Sequence, residues 1–178
     1  MRSRSLLKTV FGGLMAALVC VATAVLVIQL PTGGYANLGD CFVMISACIL
    51  GPIYGGLASG IGSALADLFL GYGVYAPFTF IIKFCMAVVV YFITKKSKNK
   101  SFMAQAMALI VAAIAAEFIM VGGYFILESF MYGAGGAVVN VFGNAIQGFF
   151  GCISSSVVFF AMHKARLFSY TEKILNVE

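Results

Sequence analysis

Three ionisable residues, Asp67, Lys83 and Glu117, stand inside long apolar runs of the chain. A charge in such a setting is costly unless paired, which makes each a functional candidate. Two stripes extend the set. Glu117, Tyr124 and Glu128 are spaced i, i+7, i+11, and Asn140, Asn144 and Gln147 are spaced i, i+4, i+7. Each spacing puts its residues on one face of a helix. Carboxylates accept hydrogen bonds from a protonated ring nitrogen, and carboxamides both donate and accept, so these groups at matching depth suit a polar-lined binding pocket. The plainer alternatives are an ion pair of Lys83 with Glu117 or Asp67 that pins the helices, and amide contacts that hold helices together at about 0.6 kcal/mol each.

Catalytic chemistry has little support. The sequence carries no HExxH, no GxSxG and no P-loop, so neither metal-assisted hydrolysis, nor an activated serine, nor nucleotide binding is expected. His163 lies near the far end from Asp67 and Glu117, too distant for an acid–base pair. The five cysteines (Cys20, Cys41, Cys48, Cys85 and Cys152) form no CxxC, and His163 is the one histidine. No metal site or cofactor is expected from them, and they read as small apolar residues on buried helices.

The elements that must position these groups follow from composition. Of 178 residues 62% are hydrophobic and 10% charged, with a mean hydropathy of +1.06. Soluble domains carry about a quarter charged residues. A soluble globule, a disordered chain and a disulfide-rich secreted module are all excluded, and the solvent has to be lipid. The expected fold is all-α: one polytopic membrane domain spanning residues 1–178 with six transmembrane helices, at about 6–30, 38–50, 53–70, 77–94, 102–128 and 137–163. Breaks are expected at Pro31-Thr32-Gly33-Gly34, Gly51-Pro52 and Gly71-Tyr72-Gly73. The basic start followed by Ala22-Thr23-Ala24 resembles a signal peptide, but the apolar run continues to Leu30 and reads as a retained first span. The second helix, at ~1.5 Å per residue, is too short to cross ~30 Å of hydrocarbon. The connection before it is therefore expected to dip into the membrane zone, which requires protein or a water-filled cavity around it.

Every Lys and Arg except Lys83 falls before or in the first turn of helix 1, between helices 4 and 5, or after helix 6. The positive-inside rule then places both termini in the cytoplasm. The basic excess is explained by topology, and no nucleic-acid partner is expected. On that orientation Lys83 sits ~9 Å and Glu117 ~15 Å below the outer helix ends. The outer loops add aromatic residues, Tyr35, Tyr72, Tyr75, Phe78 and Tyr132, which suit either stacking on a ligand or an interfacial belt. Helix 1 carries Gly12, Ala16 and Cys20 at four-residue spacing with Gly13 and Ala17 beside them, a small-residue face that allows close helix contact in lipid. Gly56 and Gly60 on helix 3 read as packing within the bundle.

The stretches Thr32-Gly33-Gly34-Tyr35-Ala36-Asn37-Leu38-Gly39-Asp40, Leu50-Gly51-Pro52-Ile53-Tyr54-Gly55, Gly60-Ile61-Gly62-Ser63-Ala64-Leu65-Ala66-Asp67 and Tyr75-Ala76-Pro77-Phe78-Thr79-Phe80-Ile81-Ile82-Lys83 resemble the substrate-binding S component of energy-coupling factor (ECF) vitamin transporters, in the riboflavin-type group. The resemblance implies a subunit of the cell membrane that binds a vitamin near the outer face under the loop between helices 1 and 2. It implies partners: a transmembrane coupling protein and two ABC ATPases, with toppling of the S component releasing the vitamin inside. It further implies docking of the coupling protein on the small-residue face of helix 1, formed by Gly12, Ala16 and Cys20 or by Gly13 and Ala17. The residue roles expected on this basis are capping of the ligand by Tyr35 and Asn37 and ring stacking by Tyr75 and Phe78. Lys83, Glu117, Asn140, Asn144 and Gln147 are expected to bind its polar edge, with Tyr124 in the same pocket. That set favours a pyridoxine-like or hydroxymethylpyrimidine-like ligand over riboflavin or thiamine. The alternative is a membrane-embedded structural or assembly protein with no ligand.

Overall fold

The computed structural model describes residues 2–25, 27–29 and 35–175. Among the described residues the order is α1 (Arg2–Val25), β1 (Val27–Gln29), β2 (Tyr35–Asn37), α2 (Gly39–Phe69), α3 (Ala76–Lys95), α4 (Phe102–Lys164) and α5 (Leu167–Leu175). Among the described residues four helices are long and apolar enough to cross a membrane: Ser5–Val25 within α1, and the whole of α2, α3 and α4.

Two of these are helical hairpins. A straight 63-residue helix would be about 95 Å long, three times the hydrocarbon thickness. In α4 the chain leaves helical geometry at Gly133 (φ 76°, ψ 162°), a region essentially restricted to glycine. The two halves then run back along each other: the Phe102 and His163 rings stand 4.5 Å apart at one end, and Glu117 packs against Gly148 and Gly151 midway. In α2 the same reversal occurs at Gly51 (φ 80°, ψ −173°), followed by Pro52, which offers no N–H to continue the ladder. Ser59 Oγ reaches the carbonyl of Val43 at 3.5 Å. A Cβ on Gly55 would come within 2.7 Å of the Ser46 carbonyl oxygen, so only glycine permits this approach of the two halves.

Several expected boundaries need correction. Helix 1 does not reach Leu30. It ends at Val25, and Val27–Gln29 pairs antiparallel with Tyr35–Asn37, Val27 opposite Asn37. The β-branched pair Val27-Ile28 serves a strand as well as a helix, and hydropathy alone does not separate the two. Residues 129–136, expected as an outer loop, are helical except for the turn at Gly133. The breaks expected at Gly51-Pro52 and after Leu70 fall in place, but Gly51 forms a reversal without any loop. Helix α5 was not expected at all. Residues 30–34, the tip of the first connection, lie outside the described residues.

Small residues set the packing. Gly62 lies against the Ala16 carbonyl and Val19 of α1, while Gly56 and Gly60 receive Phe84 and Phe80 of α3. The central core is built from Val19, Val43, Met44, Met86, Val90, Ala112, Ala113, Ala116 and Met120. Outward, Leu14, Val21, Ile61, Ile81, Val111, Phe118, Phe142 and Phe149 are exposed. A water-facing surface of that kind is not tolerated in a soluble monomer, and lipid is the solvent that covers it. The chain is a multi-pass membrane protein.

Candidate functional site

At the end of the bundle where α3 begins, a cleft of about 630 Å³, counting its open mouth, is lined by Asn37, Asp67, Tyr72, Tyr75, Thr79, Lys83, Tyr124, Glu128, Asn140, Asn144 and Gln147. Every long helix except α1 contributes. Asn37 comes from β2 at the entry to α2, and Asp67 from the last turn of α2. Tyr72 and Tyr75 come from the turn between α2 and α3, and Thr79 and Lys83 from successive turns of α3. Tyr124 and Glu128 stand on the first half of α4, and the three carboxamides on the second half.

The floor is ionic. The Lys83 ammonium pairs with Asp40, the carboxylate in the first turn of α2. The other Asp40 oxygen accepts a 2.7 Å hydrogen bond from Gln147 Nε2. Asp40 is fully buried and Lys83 nearly so, so one carboxylate fastens α2, α3 and α4 together at the base of the cleft. Asp40, which was not among the partners expected for Lys83, is thus an ion-pair partner of it. A carboxylate in the first turn of a helix reads as an ordinary terminal residue, and nothing in its spacing reveals that α2 starts deep in the bundle.

The wall is aromatic. Tyr72 and Tyr75 meet edge to face with centroids 6.2 Å apart. Tyr75 and Tyr124 follow at 6.4 Å, and the Lys83 ammonium lies 5.9 Å from the Tyr124 ring. Tyr124 hydroxyl is 3.0 Å from Thr79 Oγ1. Tyr75 donates its hydroxyl to that of Tyr132 at 3.2 Å. Burial first, then the Tyr132 hydroxyl and the nearby Glu128 carboxylate, push the Tyr75 phenol up from its ordinary value, so it stays a neutral donor. Asn37 accepts from the Gly39 N–H at 2.8 Å through Oδ1, which leaves its NH₂ to donate.

Of the residues expected from the sequence, Asn37, Tyr75, Lys83, Tyr124, Asn140, Asn144 and Gln147 line this cleft. Phe78 and Glu117 do not meet there. Phe78 is 45% exposed on the outer side of α3. Position 78 lies ~100° around the helix from Thr79 and ~140° from Lys83, so the helix turns it away from them. Glu117 lies behind the floor, buried, in a niche made by Gly148 and Gly151 next to Asp40. Neither of its oxygens has a hydrogen-bond partner among the described residues. The Tyr35 side chain lies outside the described residues, although its backbone belongs to β2. Asp40, Asp67, Tyr72, Thr79 and Glu128 complete the arrangement. The intramembrane charge of Asp67 and the stripe position of Glu128 were signals for those two; Thr79 carried none.

The helix 1 residues divide into two faces. Gly13 has nothing within 4 Å of its would-be Cβ, and Ala17 is exposed. Gly12 faces Tyr54, the Ala16 carbonyl meets Gly62, and Cys20 is buried.

The arrangement presents acceptors and donors around an aromatic wall, which suits recognition of a small polar aromatic molecule. The sequence matches the family model described as ECF-type riboflavin transporter, S component, over residues 3–164. It is also 35% identical over 136 residues to a Pyrococcus woesei protein described as "Uncharacterized protein in gap 3'region", covering 76% of this chain and 87% of that one. Members of the matched family are vitamin-binding transporter subunits that work with an energising module of ATPases and a coupling protein. With the match running through nearly the whole chain, this protein belongs to the ECF-type riboflavin transporter S-component family and is a transport subunit, not an enzyme.

Proposed function

We propose that the cleft binds one small aromatic vitamin or precursor at the outer face, and that the bundle delivers it inward when docked on the energising module. The observation that carries this reading is the convergence of Tyr75, Tyr124, Glu128, Asn140, Asn144 and Gln147 on one opening above the Lys83–Asp40 pair. Asp67 and Glu128 make the lining acidic, and the one lining ammonium already faces Asp40. A ligand rich in N–H and O–H donors suits such a lining better than an anionic one. The favoured class is a pyridoxine-like or hydroxymethylpyrimidine-like molecule, ahead of riboflavin and thiamine. Glu117 enters this reading as a positioning group behind Asp40, and Tyr35 as part of the cover.

In the same reading α2 and α4 each cross twice, giving six crossings with both termini cytoplasmic. Docking uses the outward face of α1 at Gly13 and Ala17, since the other small residues are already turned inward against α2. Mass spectrometry of small molecules extracted from the purified chain, followed by calorimetric titration with pyridoxine, hydroxymethylpyrimidine, riboflavin and thiamine, tests the assignment. One aromatic ligand per chain is expected. No ligand and no binding of any of the four would leave the reading of a structural membrane protein.

A further inference from the structure

The opposite end of the bundle holds a second, larger cavity of about 900 Å³ including its open mouth. It lies at the other end of α3 from the cleft, with Lys95 ~24 Å of helix rise from Thr79. Ile49, Phe159 and Phe168 give the cavity an apolar lining. The same lining includes Lys95, Lys98 and His163. We propose that this cavity seats a phosphate group carried on an apolar body, the phosphate at Lys95 and Lys98 and the apolar part against Phe159 and Phe168.

Four features support the assignment. The cavity is built by a dedicated element: α5 folds back so that Phe168 packs on Phe159 at 5.0 Å and Leu175 is fully buried among α1, α2 and α4 side chains. The loop bearing Lys98 is held in shape, because Gln105 Nε2 donates to the carbonyls of Lys98 and Lys100 at 3.1 and 2.9 Å. Lys95 projects over the Tyr91 ring at 5.6 Å, a weak contact that a phosphate can outcompete. The one acid in the lining, Glu172, is exposed and pairs with the half-buried Lys98 at 2.9 Å. A pair that water still reaches is weak, and a phosphate oxygen can take the place of the carboxylate on Lys98. Basic pockets between helices at this membrane face are suited to lipid head groups, and a soluble phosphate compound offers the same chemistry.

Native mass spectrometry of the full-length, delipidated chain with phosphatidylglycerol or phosphatidylcholine tests this. One tightly held phosphatidylglycerol and weaker phosphatidylcholine are expected. Lys95→Gln with Lys98→Gln should weaken phosphatidylglycerol binding about tenfold, and Lys95→Gln alone, which keeps the Lys98–Glu172 pair, should act in the same direction. Lys100→Gln with Lys173→Gln removes equal charge outside the cavity and should leave binding nearly unchanged. Equal losses in the two double variants, or no preference for phosphatidylglycerol in the unmodified chain, would overturn the proposal. Inorganic phosphate distinguishes the sources: competition at millimolar concentration assigns the seat to free phosphate compounds as well, and its failure to compete assigns it to lipid.

Discussion

Asp40 is the residue on which the site turns. It holds the Lys83 ammonium on one oxygen and Gln147 on the other, with no exposure to solvent. Removing one partner of a buried pair costs about 3–5 kcal/mol. Asp40→Asn is therefore expected to lower the thermal unfolding temperature in detergent sharply, and Asp40→Asn combined with Lys83→Met to recover much of the loss. A double variant as unstable as the single one would show that the pair is not the source. Gln147→Ala tests the ligand side of the same network. It removes a lining amide and a bond to Asp40, and ligand affinity is expected to fall about tenfold, in line with a charge-assisted hydrogen bond of about 1.5 kcal/mol. Glu117→Gln, behind the floor, is expected to weaken binding by less than Gln147→Ala in the same titration; the reverse order would place Glu117 in direct contact with the ligand.

At the scale of elements, two glycines convert long apolar runs into hairpins. Gly51 and Gly133 both adopt positive φ with extended ψ, so a side chain at either is strained by about 1–3 kcal/mol. Gly51→Ala is expected to lower stability by that amount, read from thermal unfolding, whereas Gly122→Ala, at an ordinary helical position with open space, should be neutral. Helix α1 makes a separate prediction. Gly13→Leu places bulk on the outward face and should abolish co-purification with the coupling protein and ATPases while leaving ligand affinity unchanged. Retained co-purification would move the docking face elsewhere. Element identity was legible from apolar run lengths and from Gly51-Pro52. The ribbon was not, because an apolar β-branched stretch satisfies helix and strand alike until its partner, Tyr35–Asn37, is known.

For the whole molecule, charge asymmetry and site location agree. The cleft opens at the end free of Lys and Arg beyond Lys83, and the basic residues gather at the other end around α5. In a variant lacking the native cysteines, Tyr72→Cys in intact cells is expected to react with a membrane-impermeant thiol reagent, and Lys100→Cys only after the membrane is opened. The opposite pattern would invert the bundle and detach the cleft from the outer surface.

Composition and the spacing of charges settled the solvent, the helical class and most of the lining, because hydropathy and helical period are local properties of the chain. Asn140, Asn144 and Gln147 share a face by arithmetic alone. What the tertiary structure decided is which faces meet. Asp40 became an ion-pair partner of Lys83, and Phe78 turned outward. Glu117 withdrew behind two glycines, and the helix 1 stripe split between Gly13–Ala17 outside and Gly12–Ala16–Cys20 inside. These outcomes depend on the reversals at Gly51 and Gly133 and on the depth at which α2 begins. Both are properties of packed helices, and neither is written in the order of residues along any one of them.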